Sequence, residues 1–212
     1  MRTFKNPKHR KITKRIKKVR KRSVSRKRSN NHKKSKHQSS IIIFTDGATK
    51  NNKRGSIHAR GGIGVFFDTK DRRNIADPFL LENPTNNRCE LYAVIVAIET
   101  VLRNKCTRKK ENILIYTDSQ HTIDCLDKWI FSWKRNGWIK SDGKPVLNRD
   151  LLFWAEGLIR TNRHIIKLEF EHVKAHTKKP KNKRSQEYKK WYGNYMADKL
   201  ANQGIKKLNK CN

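Results

Sequence analysis

Ile41-Ile42-Ile43-Phe44-Thr45-Asp46-Gly47 is the stretch from which the rest of the chain can be read. Four consecutive apolar residues predict a strand covered on both faces. A threonine, an aspartate and a glycine then close it, which places Asp46 just past the carboxyl end. The pattern returns at Ile113-Leu114-Ile115-Tyr116-Thr117-Asp118-Ser119. If the two strands are parallel neighbours, Asp46 and Asp118 meet at the end of the sheet where ligands of open α/β folds bind. Two adjacent carboxylates repel strongly, so the pair calls for a cation between them. A hard divalent ion with oxygen ligands fits, and Mg²⁺ fits best where a phosphate completes its shell.

Working outward, Gly61–Phe67 reads as a second strand, and a third falls within Arg72–Leu81, made irregular by Asp77-Pro78. Pro84 stops extended structure. From Thr85 a helix is predicted, since Leu91, Val94, Ile95, Ile98, Val101 and Leu102 recur at three- and four-residue steps. Short helices are expected at about 120–127 and 128–136, with Gly137 as a stop. A helix over Asn148–Arg160, a strand over Ile165–His172, a basic loop over 177–192 and a closing helix over Gly193–Leu208 complete the reading. Strands first, then alternation with helices, predict an α/β fold, a mixed sheet flanked by helices.

Two more acids stand among apolar residues at element ends. Glu90 lies in the first turns of the helix carrying Leu91, Val94 and Ile98. Asp198 lies in Tyr195-Met196-Ala197-Asp198 of the closing helix, expected one turn from its start. Acids are scarce here: 52 Lys and Arg face 18 Asp and Glu, for a net charge of +34. That imbalance predicts a polyanionic partner. Residues 1–40 contain no acid and carry +18 of the total, leaving +16 on the remaining 172 residues, a suitable length for one domain. The first segment reads as a disordered, highly basic arm. It suits a nuclear-localisation signal, a nucleic-acid-binding arm or a mitochondrial presequence, and Ile12, Ile16 and Val19 would give it one helical apolar face on a partner.

No apolar run approaches the ~20 residues of a membrane span, and no secretory h-region follows the first charges. Cys89, Cys106, Cys125 and Cys211 are scattered, as reduced thiols of an intracellular protein are. His172 and His176, four apart, have no third ligand at zinc-site spacing.

Five motifs, in order, resemble type 1 ribonuclease H. They are the Thr-Asp-Gly strand end, Thr85-Asn86-Asn87-Arg88-Cys89-Glu90, Tyr116-Thr117-Asp118-Ser119, Val173-Lys174-Ala175-His176 and Gly193-Asn194-Tyr195-Met196-Ala197-Asp198, spanning roughly residues 41–208. The resemblance implies a five-stranded mixed sheet with a basic protrusion helix, and endonucleolytic hydrolysis of the RNA strand of RNA–DNA hybrids. It implies two Mg²⁺, with Mn²⁺ as a substitute, clamping the scissile phosphate. Asp46 would bridge both ions, Glu90 and Asp118 would complete one site, and Asp198 the water-side site. His176 would assist proton transfer or product release.

The same resemblance assigns substrate contacts. Trp129 would occupy the DNA-channel tryptophan position of the protrusion Lys128–Trp138, with Ser141 a polar neighbour. Thr85 and Asn148 would hold a DNA phosphate, although Asn83 stands where relatives often have arginine. Asn86 and Asn87 would read minor-groove edges and a 2′-hydroxyl. The chain departs from the pattern in its long basic segment after His176, and in an arm that lacks the hybrid-binding domain of many eukaryotic relatives.

Three alternatives remain at this level. A non-catalytic basic nucleic-acid binder fits the composition but not four placed acids. A DEDD exonuclease or DDE integrase would lack the Gly-Asn-x-x-Ala-Asp helix and the Trp-rich segment. A retroelement-derived ribonuclease H domain differs only in genomic setting. The expectation is a monomer acting on hybrid, away from membranes, in the nucleus or cytoplasm before the mitochondrion.

Overall fold

The computed structural model describes residues 40–51, 58–105 and 109–208. All of the expected arm except Ser40 lies outside them, as do Cys106 and Cys211. The strands are β1 (Ile41–Lys50), β2 (Arg60–Phe66), β3 (Ile75–Phe79), β4 (Glu111–Thr117) and β5 (Ile166–His172). The helices are α1 (Asn86–Arg103), α2 (Gln120–Ile123), α3 (Ile130–Arg135), α4 (Arg149–Asn162) and α5 (Gln186–Leu208), with a π-helical segment, Asp124–Trp129, joining α2 to α3.

The sheet order is β3-β2-β1-β4-β5. β1 pairs antiparallel with β2 and parallel with β4, which is parallel to β5, so the sheet is mixed as expected. β1 therefore has a strand on each side, and its apolar run alternates between two cores. Ile43 enters the larger one, with α1 and Leu151, Leu152 and Ala155 of α4. Phe44 enters the smaller one, where its ring stacks on Tyr116 at 4.9 Å beside Phe66 and Ala197. α5 covers β1, β2 and β3.

Four local expectations need correction. β1 does not end at Asp46 but runs on to Lys50, because β2 still pairs with it there; only the parallel ladder with β4 stops, at Thr45–Thr117. The helices expected at 120–127 and 128–136 are continuous through the π-helical turns. Gly137 does stop them, at φ +65°. The loop expected over 177–192 is helical from Gln186, so Gly193 lies inside α5 and Asp198 sits mid-helix. Trp138, the last residue of the protrusion expected over Lys128–Trp138, is buried in the larger core.

Among the described residues, no helix is long and apolar enough to cross a membrane.

Candidate active site

Asp46 lies on β1 one residue beyond the last parallel pair with β4, opposite Gly64 of β2. Asp118 follows β4 directly. The parallel register of Thr45 with Thr117 therefore sets the two aspartates side by side, as the repeated strand endings imply.

Glu90 reaches them because of the glycine after Asp46. A Cβ on Gly47 would lie 2.3 Å from the Glu90 amide nitrogen and 2.4 Å from the Cys89 carbonyl carbon. Only glycine admits this approach, so α1 rests on β1 backbone to backbone. Thr85 caps α1, its hydroxyl accepting from the Arg88 amide at 3.4 Å. Asp198 is delivered in the same way from the other face. A Cβ on Gly64 would meet the Ala197 carbonyl oxygen at 2.0 Å, which draws α5 onto β2 beside Asp46.

Ligand oxygens of Asp46, Glu90 and Asp118 all lie within 4.8 Å of one another. Asp198 lines the same cleft of about 690 Å³, together with Asn86, Lys174, His176, Trp191, Asn194 and Tyr195. The electrostatic cost of the cluster is visible at Asp46. Burial, followed by the charges of Asp118 and Asp198, pushes its carboxyl up to about 8, against a stabilising 2.8 Å hydrogen bond from the Gly47 amide. Burial also raises Glu90, with Asp118 adding to the shift, while the Ser119 and Thr122 hydroxyls oppose it.

Neighbours orient the acids. The Asn86 amide donates to Glu90 Oε1 at 2.7 Å, and Thr122 Oγ1 donates to Oε2 at 3.4 Å. Asn194 Nδ2 donates to Asp118 Oδ2 at 3.4 Å, and His172 Nε2 lies 3.1 Å from the Asp118 carbonyl oxygen. Asn202 donates to Asp198 Oδ1 at 2.9 Å. Sequence reading assigns no role to Thr122, Asn194 or His172. Asn194 alone has a signal, its place in the motif Gly193–Asp198. A set of three oxygen donors whose charges oppose one another fits a hard divalent cation. Neither His172 nor His176 belongs to that set.

The other sequence-predicted residues are spread more widely. Asn86 lines the cleft, and Thr85 and Asn87 lie exposed beside it at the start of α1. Asn148 caps α4 in a left-handed conformation, φ 56°. A bidentate ion pair of Arg88 with Asp150, at 2.8 and 2.5 Å, ties the starts of α1 and α4 together. Trp129 is 40% exposed at the end of the π-helical segment, its ring beside His121 and Trp133. Ser141 is exposed in the turn between Ile139 and Pro145. Trp129 and Ser141 are not among the residues lining the carboxylate cleft.

The family model described as RNase H matches residues 38–206. The chain belongs to the RNase H family. Its relatives include a Ribonuclease H of Marinobacter nauticus, 35% identical over 80% of this chain and 96% of the relative. The Ribonuclease H of Schizosaccharomyces pombe is 34% identical over 77% of this chain, and the chain spans about half of that protein (52%). The human Ribonuclease H1 is 31% identical over 78% of this chain and 50% of its own length. Family membership agrees with solved folds. The RNase H domain of prototype foamy virus superposes with a TM-score of 0.55 at 22% identity, covering 78% of this chain and 93% of that domain. LC9-RNase H1 gives 0.55 at 21%, covering 80% and 74%.

Proposed function

We propose that this ribonuclease H hydrolyses the RNA strand of RNA–DNA hybrids endonucleolytically, leaving 5′-phosphate and 3′-hydroxyl ends. The observation that carries the reading is the convergence of Asp46, Glu90 and Asp118, with Asp198 beside them, in a cleft of a strongly basic protein. Two Mg²⁺, replaceable by Mn²⁺, would be held with Asp46 shared, Glu90 and Asp118 completing one site and Asp198 the other. Bound there, they would activate the attacking water and offset charge on the leaving 3′ oxygen.

The protein's own groups have separable tasks. Gly47 and Gly64 fix how far apart the carboxylates stand. Asn86, Thr122 and Asn194 keep their oxygens aimed into the cleft by hydrogen bonds. His176, on the cleft wall, would pass a proton or speed product release. Thr85 and Asn148 would hold a DNA phosphate at the joined starts of α1 and α4. Asn86 and Asn87 would meet the minor groove and a 2′-hydroxyl, which selects RNA on the cut strand. Trp129 and Ser141 would guide the DNA strand along the protrusion.

The test supplies Mg²⁺ with labelled hybrid, duplex DNA, duplex RNA or single-stranded RNA. Cutting of the RNA in the hybrid alone, lost in Asp118→Asn while hybrid binding persists, is expected. An intact hybrid with wild-type protein would refute the activity. We further propose that the chain acts as a monomer, in the nucleus or cytoplasm before the mitochondrion. Sedimentation of the full chain and imaging of a tagged copy test these two statements.

A further inference from the structure

The charge pattern after His176 predicts a basic loop up to residue 192. Instead, α5 begins at Gln186 and carries a run of aromatic side chains before Gly193. Tyr188 stacks parallel to Tyr192 at 6.1 Å, and Trp191 stacks parallel to Tyr195 at 5.4 Å with 7° between the rings. Trp191 and Tyr195 belong to the wall of the carboxylate cleft, as do His176 and Thr177.

One hydrogen bond connects these two parts of the wall. Trp191 Nε1–H donates to the carbonyl oxygen of Thr177, the residue following His176, at 3.0 Å across fourteen positions of sequence. The ammonium of Lys179 lies over the same indole, 5.6 Å from its centroid. The indole thus meets the segment after His176 at two points, Thr177 through its N–H and Lys179 across its face, while Tyr195 stacks on its ring. His176 itself has φ +50°, a left-handed conformation that a β-carbon disfavours and that surrounding contacts must hold. A carbonyl fixed one residue away is such a contact.

We infer that Trp191 is a positioning residue, which anchors the chain at Thr177, directly after the turn bearing His176, and so holds the histidine at the cleft wall in the orientation it needs for catalysis. The inference rests on the proposed role of His176. Trp191 has no need to touch the substrate. Its ring lies on the first turns of α5, rigidly connected through the helix to Asp198, so the turn bearing His176 is referenced to the same helix as that carboxylate.

The test uses the full chain and Trp191→Phe, which retains an aromatic ring against Tyr195 and removes the N–H. Steady-state cleavage of labelled hybrid in Mg²⁺ is compared for wild type, W191F, His176→Ala and the double variant, alongside thermal melts and amide exchange over residues 176–181. A hydrogen bond of ordinary strength predicts kcat about 2- to 10-fold lower in W191F, with KM little changed, and exchange faster by a similar factor. In the His176→Ala background, W191F should then cost nothing further. Equal losses in both backgrounds would overturn the inference, as would wild-type kcat and exchange in a folded W191F protein. If W191F melts early, the exchange profile still decides: protection lost only at 176–181 supports the anchor, and loss spread throughout α5 rejects it. A His176→Ala protein as fast as wild type would remove the histidine's proposed role, and the inference with it; a slow His176→Ala beside an unaffected W191F would reject the anchor alone.

Discussion

Replacing Asp46 by asparagine should make the metal-free protein more resistant to alkaline pH while destroying its activity. In the folded chain the Asp46 carboxyl is pushed from 3.8 to about 8, by burial and by the charges of Asp118, Asp198 and Glu90. A carboxyl whose folded-state pKa exceeds its unfolded one stabilises the fold while both states are protonated. That contribution is lost as pH rises from about 4 through 8. The gap of about four units, at roughly 1.4 kcal/mol each, sets a ceiling of about 6 kcal/mol. Salt and water in the open cleft screen the repulsion, so a realised difference of about 2 kcal/mol is expected. For a protein of this size, 2 kcal/mol separates melting temperatures by about 4–8 °C. Asparagine retains an oxygen for the Gly47 amide and has no charge to bury. In EDTA, wild type should therefore lose stability between pH 5 and 8.5 more steeply than Asp46→Asn, and the two curves should converge near pH 4. Mg²⁺ should restore wild type at pH 8.5 and leave the variant nearly unmoved. Differential scanning fluorimetry over that pH range measures all three effects. Parallel curves for the two proteins would refute the idea that Asp46 bears the strain of the cluster.

Gly47→Ala would press a Cβ against the α1 backbone at 2.3 Å, so urea titration should show a loss of about 2–4 kcal/mol. Asn194→Ala removes the amide that donates to Asp118, and a 10- to 100-fold fall in Mg²⁺ affinity or turnover with little change in melting temperature is expected from Mg²⁺-dependent kinetics. Arg88→Leu breaks the bidentate pair with Asp150; since Asp150 is largely exposed, stability should drop by at most about 1 kcal/mol, while a raised KM for hybrid would report displacement of Thr85 relative to Asn148. Deleting residues 1–40 removes +18 of charge and should flatten the salt dependence of hybrid binding by about 0.9 log units for each phosphate the arm had neutralised; an unchanged slope would limit the segment to targeting.

Apolar periodicity made most of the fold legible. The stripe from Leu91 to Leu102 marks α1, and the two repeated strand endings put Asp46 beside Asp118 on the condition that their strands are parallel neighbours, which the pairing of β1 with β4 meets. Strand ends were less legible, because Gly47 marks a close approach of α1 and β2 continues to pair with β1 beyond it. The early start of α5 is hidden by charge: lysines and arginines over 177–192 read as solvated loop, whereas Tyr188 packs against Trp191 and stacks on Tyr192 at helical spacing. Thr122 and His172 carried no signal, since each acts through a contact made only when distant segments meet.

The glycines beneath the carboxylates have a consequence for how such a protein can change. At Gly47 and Gly64 the spacing of α1 and α5 from the sheet is set by main chain meeting main chain, a stop that has no rotamers and cannot be compressed. The larger core, built around Ile43, Ile95, Ile98 and Ile115, is filled by interchangeable aliphatic groups. Exchange of isoleucine for leucine there changes stability modestly and leaves the main-chain stops that separate the carboxylates in place. Drift in composition and constancy of the reaction centre are compatible because different parts of the chain govern them.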